Sequence, residues 1–442
     1  MRNEPDGLLG AIVGSEALGL TDTMINGAGG CRSRSQQMLH DLIPDYEADP
    51  SELRCCGSKY FSRQSRLPCT YLNGDDVIFG AGPKISAGVA SAAEATGRRA
   101  VLVDTLGASL LCTDYAGLTG DESTDPVTID GDLSSMGFAE GFDRCSAAVL
   151  SSAPIEGGED GSVNILGYSI ADPGWQAGAA DLAGLLALMG LRARFVSCRP
   201  AKGDLLSCGA ASLNVMLRPE MCRETANVLE SRFGTPSLRP SEGAPVGYPA
   251  IRSFLREVGE ALGIDPTPAL EAVDREARSV HAVLMNFDRA PNAIHGKPLE
   301  VEAESSTALP LLKWMHGTFG AAPRRVAPAD GEYLPEIRAY LEGCGFPGAL
   351  DGPRGESDYV FTDGMAALEG RLSGGYRSYV EVRMPRGRHL DLMGRTVVGT
   401  AGCRYLLDEA LNNFTRFRCG QPTEVDRRPG FDRDGGGKGC CD

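Results

Sequence analysis

Ser162-Val163-Asn164-Ile165-Leu166-Gly167 is a short apolar run closed by glycine, with the length and composition of a buried strand. It leads through Pro173-Gly174 into a helix-patterned segment from Ala177 to Leu188, which stops at Gly190. Leu191-Arg192-Ala193-Arg194-Phe195-Val196 then reads as the next strand. Strands alternating with helices in this way predict parallel sheets with helices on both faces.

The theme extends in both directions. Upstream, the apolar run Asp76-Val77-Ile78-Phe79-Gly80 reads as a strand and turn, followed by a helix-like stretch from Lys84 to Thr96 and the strand Ala100-Val101-Leu102-Val103-Asp104. Downstream, Leu299-Glu300-Val301-Glu302-Ala303 precedes a helix from Ala308 to Phe319. Val326, a helix from Leu334 to Cys344, Tyr359-Val360-Phe361 and Tyr379-Val380-Glu381-Val382 follow. A chain of 442 residues is too long for one compact core. The expected fold is α/β: three Rossmann-like domains, parallel sheets flanked by helices, and clefts between the domains. A Gly/Glu/Asp-rich stretch from Glu156 to Gly161 and a helical stretch from Pro268 to His281 put the boundaries at 1–157, 158–275 and 276–394. A C-terminal helix over 395–418 is expected to pack back on the first domain, and the Gly-rich, polar segment 431–442 to be a flexible tail.

The net charge of −16 argues against a nucleic-acid partner and implies a solvated acidic surface, which can also steer a basic protein. No apolar run is long enough to cross a bilayer, and Met1-Arg2-Asn3-Glu4-Pro5-Asp6 opens no signal peptide, so the expected location is cytoplasmic, with no membrane. Fourteen cysteines in a reducing compartment do not form a disulfide framework. Most are expected to be small buried hydrophobes, and a few to bind metal or do thiol chemistry.

Open parallel sheets place ligands beyond the carboxyl ends of their strands, and Cys31, Gly80 and Cys112 are expected in such loops. In Ile25-Asn26-Gly27-Ala28-Gly29-Gly30-Cys31-Arg32, three glycines let the backbone approach a large ligand and turn amide N–H groups toward anionic sulfides. Gly30 and Cys31 are therefore the candidate cofactor-binding residues, and Cys31 the candidate iron ligand. The bland alternative is a tight turn followed by a buried thiol. Cys55 and Cys56, adjacent in Arg54-Cys55-Cys56-Gly57, have diverging side chains, and with Cys69 and Cys112 they are lesser candidates for metal. Cys440 and Cys441 lie on the tail. Gly435-Gly436-Gly437-Lys438-Gly439 lacks the Ser or Thr and the helix that a phosphate loop needs, and the five histidines show no metal-ligand spacing.

Further landmarks run in order along the chain: Gly10-Ala11 with Gly19, Asp75 to Ala81, Thr105 to Asp114, Gly167-Tyr168, Leu185 to Leu191, Ala211-Ser212-Leu213-Asn214-Val215, Phe233-Gly234-Thr235-Pro236, Val382-Arg383-Met384-Pro385 and Val398 to Gly402 with Leu406-Leu407 and Asn412. As an ordered set, with the Cys31 loop, they resemble the component 1 family of nitrogenases and their relatives. The loop is similar to that family's His-Gly-x-x-Gly-Cys, with Asn26 in place of the histidine. Ala211 to Val215 resembles a helix start in the second domain.

The resemblance implies three cysteine positions per chain for a large shared cluster. The first falls near Asp6 and the third at Leu106, so only Cys31 remains. A [4Fe-4S] cluster needs four ligands, so the implied cluster is shared across a subunit interface, as in cofactor-scaffold and dark-operative protochlorophyllide reductase complexes. No cysteine lies in Leu213 to Pro219, only Cys208 and Cys222 beside it, so no second catalytic cofactor and no dinitrogen reduction are implied there. The expected function is a beta-type subunit of a nitrogenase-like two-component reductase. Its implied partners are an alpha-type sister subunit, in a heterodimer or heterotetramer, or a second copy of itself. An ATP-hydrolysing iron protein would supply electrons, with ATP used by that partner only. A non-catalytic scaffold for iron–sulfur assembly is the main alternative, and a metal-free nucleotide-binding α/β protein a third.

Overall fold

The computed structural model describes residues 5–43, 67–119, 125–286, 293–355, 357–373, 376–385 and 392–420. Cys55, Cys56, Cys440, Cys441 and the expected tail lie outside the described residues. The strands are β1 (Asp22–Asn26), β2 (Ala100–Asp104), β3 (Ser162–Ser169), β4 (Arg192–Ser197), β5 (Leu213–Met216), β6 (Ser237–Leu238), β7 (Pro298–Ala303), β8 (Ala322–Pro328), β9 (Ser357–Thr362) and β10 (Tyr376–Glu381). They form three parallel sheets flanked by helices: β1-β2, β4-β3-β5-β6 and β10-β9-β7-β8.

Every residue of β3 is buried, as a strand covered on both faces requires. The helix Trp175–Ala187 that returns from it buries Gly178, Leu182, Leu185 and Leu186, one face at helical spacing. Burial of each leucine contributes about 1.5–3 kcal/mol. The first sheet is small, and single parallel bridges widen it: Cys69 pairs with Ile25 beside β1, and Val127 with Val101 beside β2. Behind it, helices Gly7–Leu18 and Phe138–Ser152 cross so closely that a Cβ at Gly10 would stand 2.0 Å from the Phe138 carbonyl oxygen. One apolar core runs through the second and third sheets, and another joins the first sheet to the opposite face of the second.

Three local readings are corrected. Asp76-Val77-Ile78-Phe79 is not a strand: Asn73 accepts from the Asp75 and Asp76 amides, Asp76 accepts back from Asn73, and this capping box starts the helix Gly74–Phe79. Leu213-Asn214-Val215 is strand β5 and not a helix start, its Val and Leu buried between neighbours on both sides. The C-terminal helix, Gly399–Gly420, packs on β10 and the helix Trp175–Ala187, with Leu406, Leu407 and Phe414 in the core of the second and third sheets, not on the first domain. No helix among the described residues is long and apolar enough to cross a membrane.

Candidate functional site

The carboxyl ends of β1 and β2 meet at a buried polar knot. Asn26, fully buried, donates its side-chain amide to Asp104 at 2.9 Å and to the Tyr115 hydroxyl at 3.0 Å, while its own oxygen accepts from Thr70 at 2.9 Å. The Tyr115 hydroxyl lies 2.9 Å from both carboxylate oxygens of Asp104. Burial pushes the Asp104 carboxyl above the usual carboxylate range, against the pull of the Asn26 and Tyr115 hydrogen bonds. Thr105 donates to the Asn26 carbonyl at 3.0 Å, and its side chain fills the space beside Gly27, where a Cβ would come within 2.2 Å of its hydroxyl. Gly27 is therefore fixed by close approach.

This knot holds the loop that delivers Cys31. The chain leaves β1, turns at Gly27-Ala28 and enters the helix Gly29–Leu42, whose start no side chain caps. Cys31 stands in its first turn, partly exposed, with its N–H donating to the Ala28 carbonyl at 3.2 Å. Uncapped amides and the helix dipole make this a place for negative charge. A Cβ at Gly30 would meet nothing within 4 Å, so the loop is open on that side.

Cys69 stands beside the same loop. Its bridge to Ile25 brings its thiol to the Gly27 carbonyl, to which it donates at 3.3 Å, and the Tyr71 N–H donates to its sulfur at 3.4 Å. Burial pushes the thiol up, while the Tyr71 amide and the nearby Arg32 guanidinium favour its charged form and Cys31 opposes it. Arg32 lies over the Tyr71 ring, 5.1 Å from its centroid, and its Nε is buried without a hydrogen-bond partner. Cys112 follows a one-turn helix, Leu106–Ser109, and is exposed. Cys208 and Cys222 are buried, and burial raises both thiols, that of Cys208 to about 11. Gly80 follows the helix Gly74–Phe79 and not a strand. Among the described residues, no group of three or more His, Cys, Asp or Glu side chains is placed to hold a metal ion.

Large apolar side chains are exposed on the segments Tyr71–Phe79 and Leu106–Leu110: Tyr71, Val77, Ile78, Phe79, Leu106 and Leu110, Phe79 at 83% and Leu110 at 74%.

A second polar centre, which sequence reading missed, lies where the second and third sheets meet. Arg218 and Asp172, both fully buried, form an ion pair at 2.6 Å, and Arg218 also donates to Thr307 after β7. Burial pushes Glu304 up to about 7 and Glu220 up to about 8, with Asp330 adding to both and Arg218 opposing both. Ser306 donates to Glu220, whose other oxygen is buried without a hydrogen-bond partner. Glu220 also walls an acidic cavity of about 510 Å³, with Asp143, Arg223, Asp330 and Glu332, between the three sheets' units. Arg218 sits in the Leu213–Pro219 run, but only the fold brings its partners from 46 and 89 residues away.

Residues 23–333 match the family described as Nitrogenase component 1 type Oxidoreductase. The B subunit of the light-independent protochlorophyllide reductase from Rhodospirillum rubrum is 34% identical over 198 residues, covering 44% of this chain and 34% of that protein. Its counterpart from Dinoroseobacter shibae is 34% identical over 116 residues, covering 26% and 21%. The chain thus spans about a third or less of the length of the curated relatives it matches. The solved structure titled "Nitrogenase Cp1 at pH 6.5" superposes with a TM-score of 0.74 over 96% of both chains at 17% identity, a likeness of fold alone.

Proposed function

The chain belongs to the nitrogenase component 1 type oxidoreductase family, and on that premise we propose that it is a subunit of a nitrogenase-like two-component, ATP-dependent reductase that accepts electrons from an iron protein through an interface iron–sulfur cluster. The observation that carries this reading is the setting of Cys31: a partly exposed thiol at an uncapped helix start, on an open loop.

The donor set fits part of a cluster. Thiolate, amide N–H groups and the Arg32 charge suit an anionic iron–sulfide group, and another chain would complete its ligand set. Cys31 would hold the iron, and the open side at Gly30 would leave room for the partner, an alpha-type sister subunit or a second copy. A [4Fe-4S] cluster, when bound, supplies single-electron transfer.

Reduction also consumes protons. Burial disfavours the charged forms of both Glu220 and Glu304, so that Glu220 keeps its proton at neutral pH and Glu304 is partly protonated, and Glu220 faces the acidic cavity between the units. That cavity has the size of a small-molecule site and is the proposed place of reduction, with Glu220 holding a proton at Oε2.

Anaerobic turnover with a matched alpha-type subunit, an iron protein, ATP and dithionite tests the reading. ATP-dependent reduction of a small or tetrapyrrole-like acceptor is expected. Iron transfer to an acceptor apoprotein, with no ATP-linked reduction, would instead assign the chain to cluster assembly.

A further inference from the structure

Resting on the shared-cluster reading, we propose that Cys69 is a second cluster ligand of this chain and that a second copy of the chain supplies the other two. Neither of the two family positions that lack cysteine here, near Asp6 and at Leu106, corresponds to Cys69. It reaches the site by a different route, on the short segment that bridges in parallel to the edge of β1.

Backbone hydrogen bonds lock that segment in place. The Ile25 N–H donates to Pro68 at 2.9 Å, Thr70 donates to Ile25 at 3.0 Å, and Leu72 donates to Gly27 at 2.9 Å. Cys69 is thereby held alongside Asn26 and Gly27, four residues ahead of Cys31. Its sulfur touches the Gly27 carbonyl and accepts the Tyr71 N–H. An N–H donated to sulfur is what stabilises a cluster thiolate and tunes its potential. The two thiols are near enough for charge on Cys31 to act on Cys69, and the Arg32 guanidinium, with its unpartnered buried Nε, acts on the same sulfur. Two sulfurs and the Arg32 guanidinium therefore share one corner of the fold.

A four-iron cluster takes four protein ligands, and Cys31 with Cys69 would supply two of them. A twofold axis presents the same patch from both copies, so Cys31 and Cys69 from each supply all four without a differently equipped subunit. The surface suits such pairing: Val77, Ile78, Phe79 and Leu106 are exposed hydrocarbon. Two charges on these segments are paired within the chain, Lys84 with Asp76 at 2.7 Å and Arg34 with Asp6 at 3.2 Å.

The test uses the full chain expressed alone and purified without oxygen. Native mass spectrometry, iron and acid-labile sulfide per chain, and the electron paramagnetic resonance spectrum of the reduced protein are measured for the parent, Cys31→Ala, Cys69→Ala and Cys69→Ser. A dimer with about four irons per two chains is expected. Cys69→Ala should lose at least half of the iron with its far-UV circular dichroism unchanged, and Cys69→Ser should keep iron with a shifted resonance. If Cys31→Ala loses iron while both Cys69 variants match the parent in content and spectrum, Cys69 is no ligand and the shared-cluster reading survives. If the parent is monomeric and gains iron only on mixing with an alpha-type subunit, the second copy is ruled out as partner. If the parent takes up no iron alone or in any mixture, the shared-cluster reading itself fails.

Discussion

Asn26 and Asp104 are joined by a 2.9 Å hydrogen bond across the carboxyl ends of β1 and β2, and through it the first sheet grips the Cys31 loop. Asn26→Asp keeps the size but sets a second carboxyl against the first, with no amide to donate. The variant should be destabilised by about 2–3 kcal/mol at pH 8 and by less at pH 5, where one carboxyl keeps its proton. Urea unfolding at the two pH values measures this, and equal losses at both would show that the knot is not electrostatic.

Cys31→Ala removes a partly exposed thiol that no core contact needs. Stability should stay within about 0.5 kcal/mol of the parent, while iron in anaerobically purified protein falls severalfold. Metal analysis beside a thermal melt reads both quantities. Unchanged iron would count against the site.

Arg218 pairs with Asp172 where both side chains are fully buried. Arg218→Met strands the Asp172 carboxylate and should cost about 3–5 kcal/mol, enough to lower Tm by several degrees. A loss below 1 kcal/mol would mean that Asp172 is neutral already and the pair contributes little.

In the folded chain Glu220 holds its proton to about pH 8 and Glu304 to about pH 7, whereas an ordinary glutamate releases it near 4.5. The folded state thus binds more protons between these limits. The stability they contribute is fully present below about pH 4.5 and is lost as pH rises through 7 to 8. Glu220→Gln should flatten that decline and stabilise the protein by on the order of 1 kcal/mol at pH 9, as denaturant midpoints across pH would show.

Phe79→Ser should leave the fold within about 0.5 kcal/mol, since the ring is 83% exposed, yet weaken association at the apolar face at least tenfold. Sedimentation or light scattering on parent and variant decides it. An unaltered association constant would place the interface elsewhere.

The architecture was readable because buried parallel strands are short apolar runs with glycine after them, and β3, its return helix and β4 fall within one or two residues of the reading. Val77-Ile78-Phe79 misled for a physical reason: an apolar run normally signals burial within its own chain, but here it faces outward, and the Asn73–Asp76 capping box was the better signal. At the site, Cys31 stood out because its glycines are local. Cys69 approaches Gly27 across 42 residues, and Tyr115 reaches Asn26 across 89, so no spacing announces either. Asp104 was visible as the end of a strand, but its role rests on those distant partners.

The helix Gly74–Phe79 buries none of its residues. A newly synthesised copy that has met no mate carries that bare hydrocarbon in water, the kind of surface that holdase chaperones grip and that drives clumping at cellular concentrations. On the proposed pairing, a mate that covers Phe79 removes that liability.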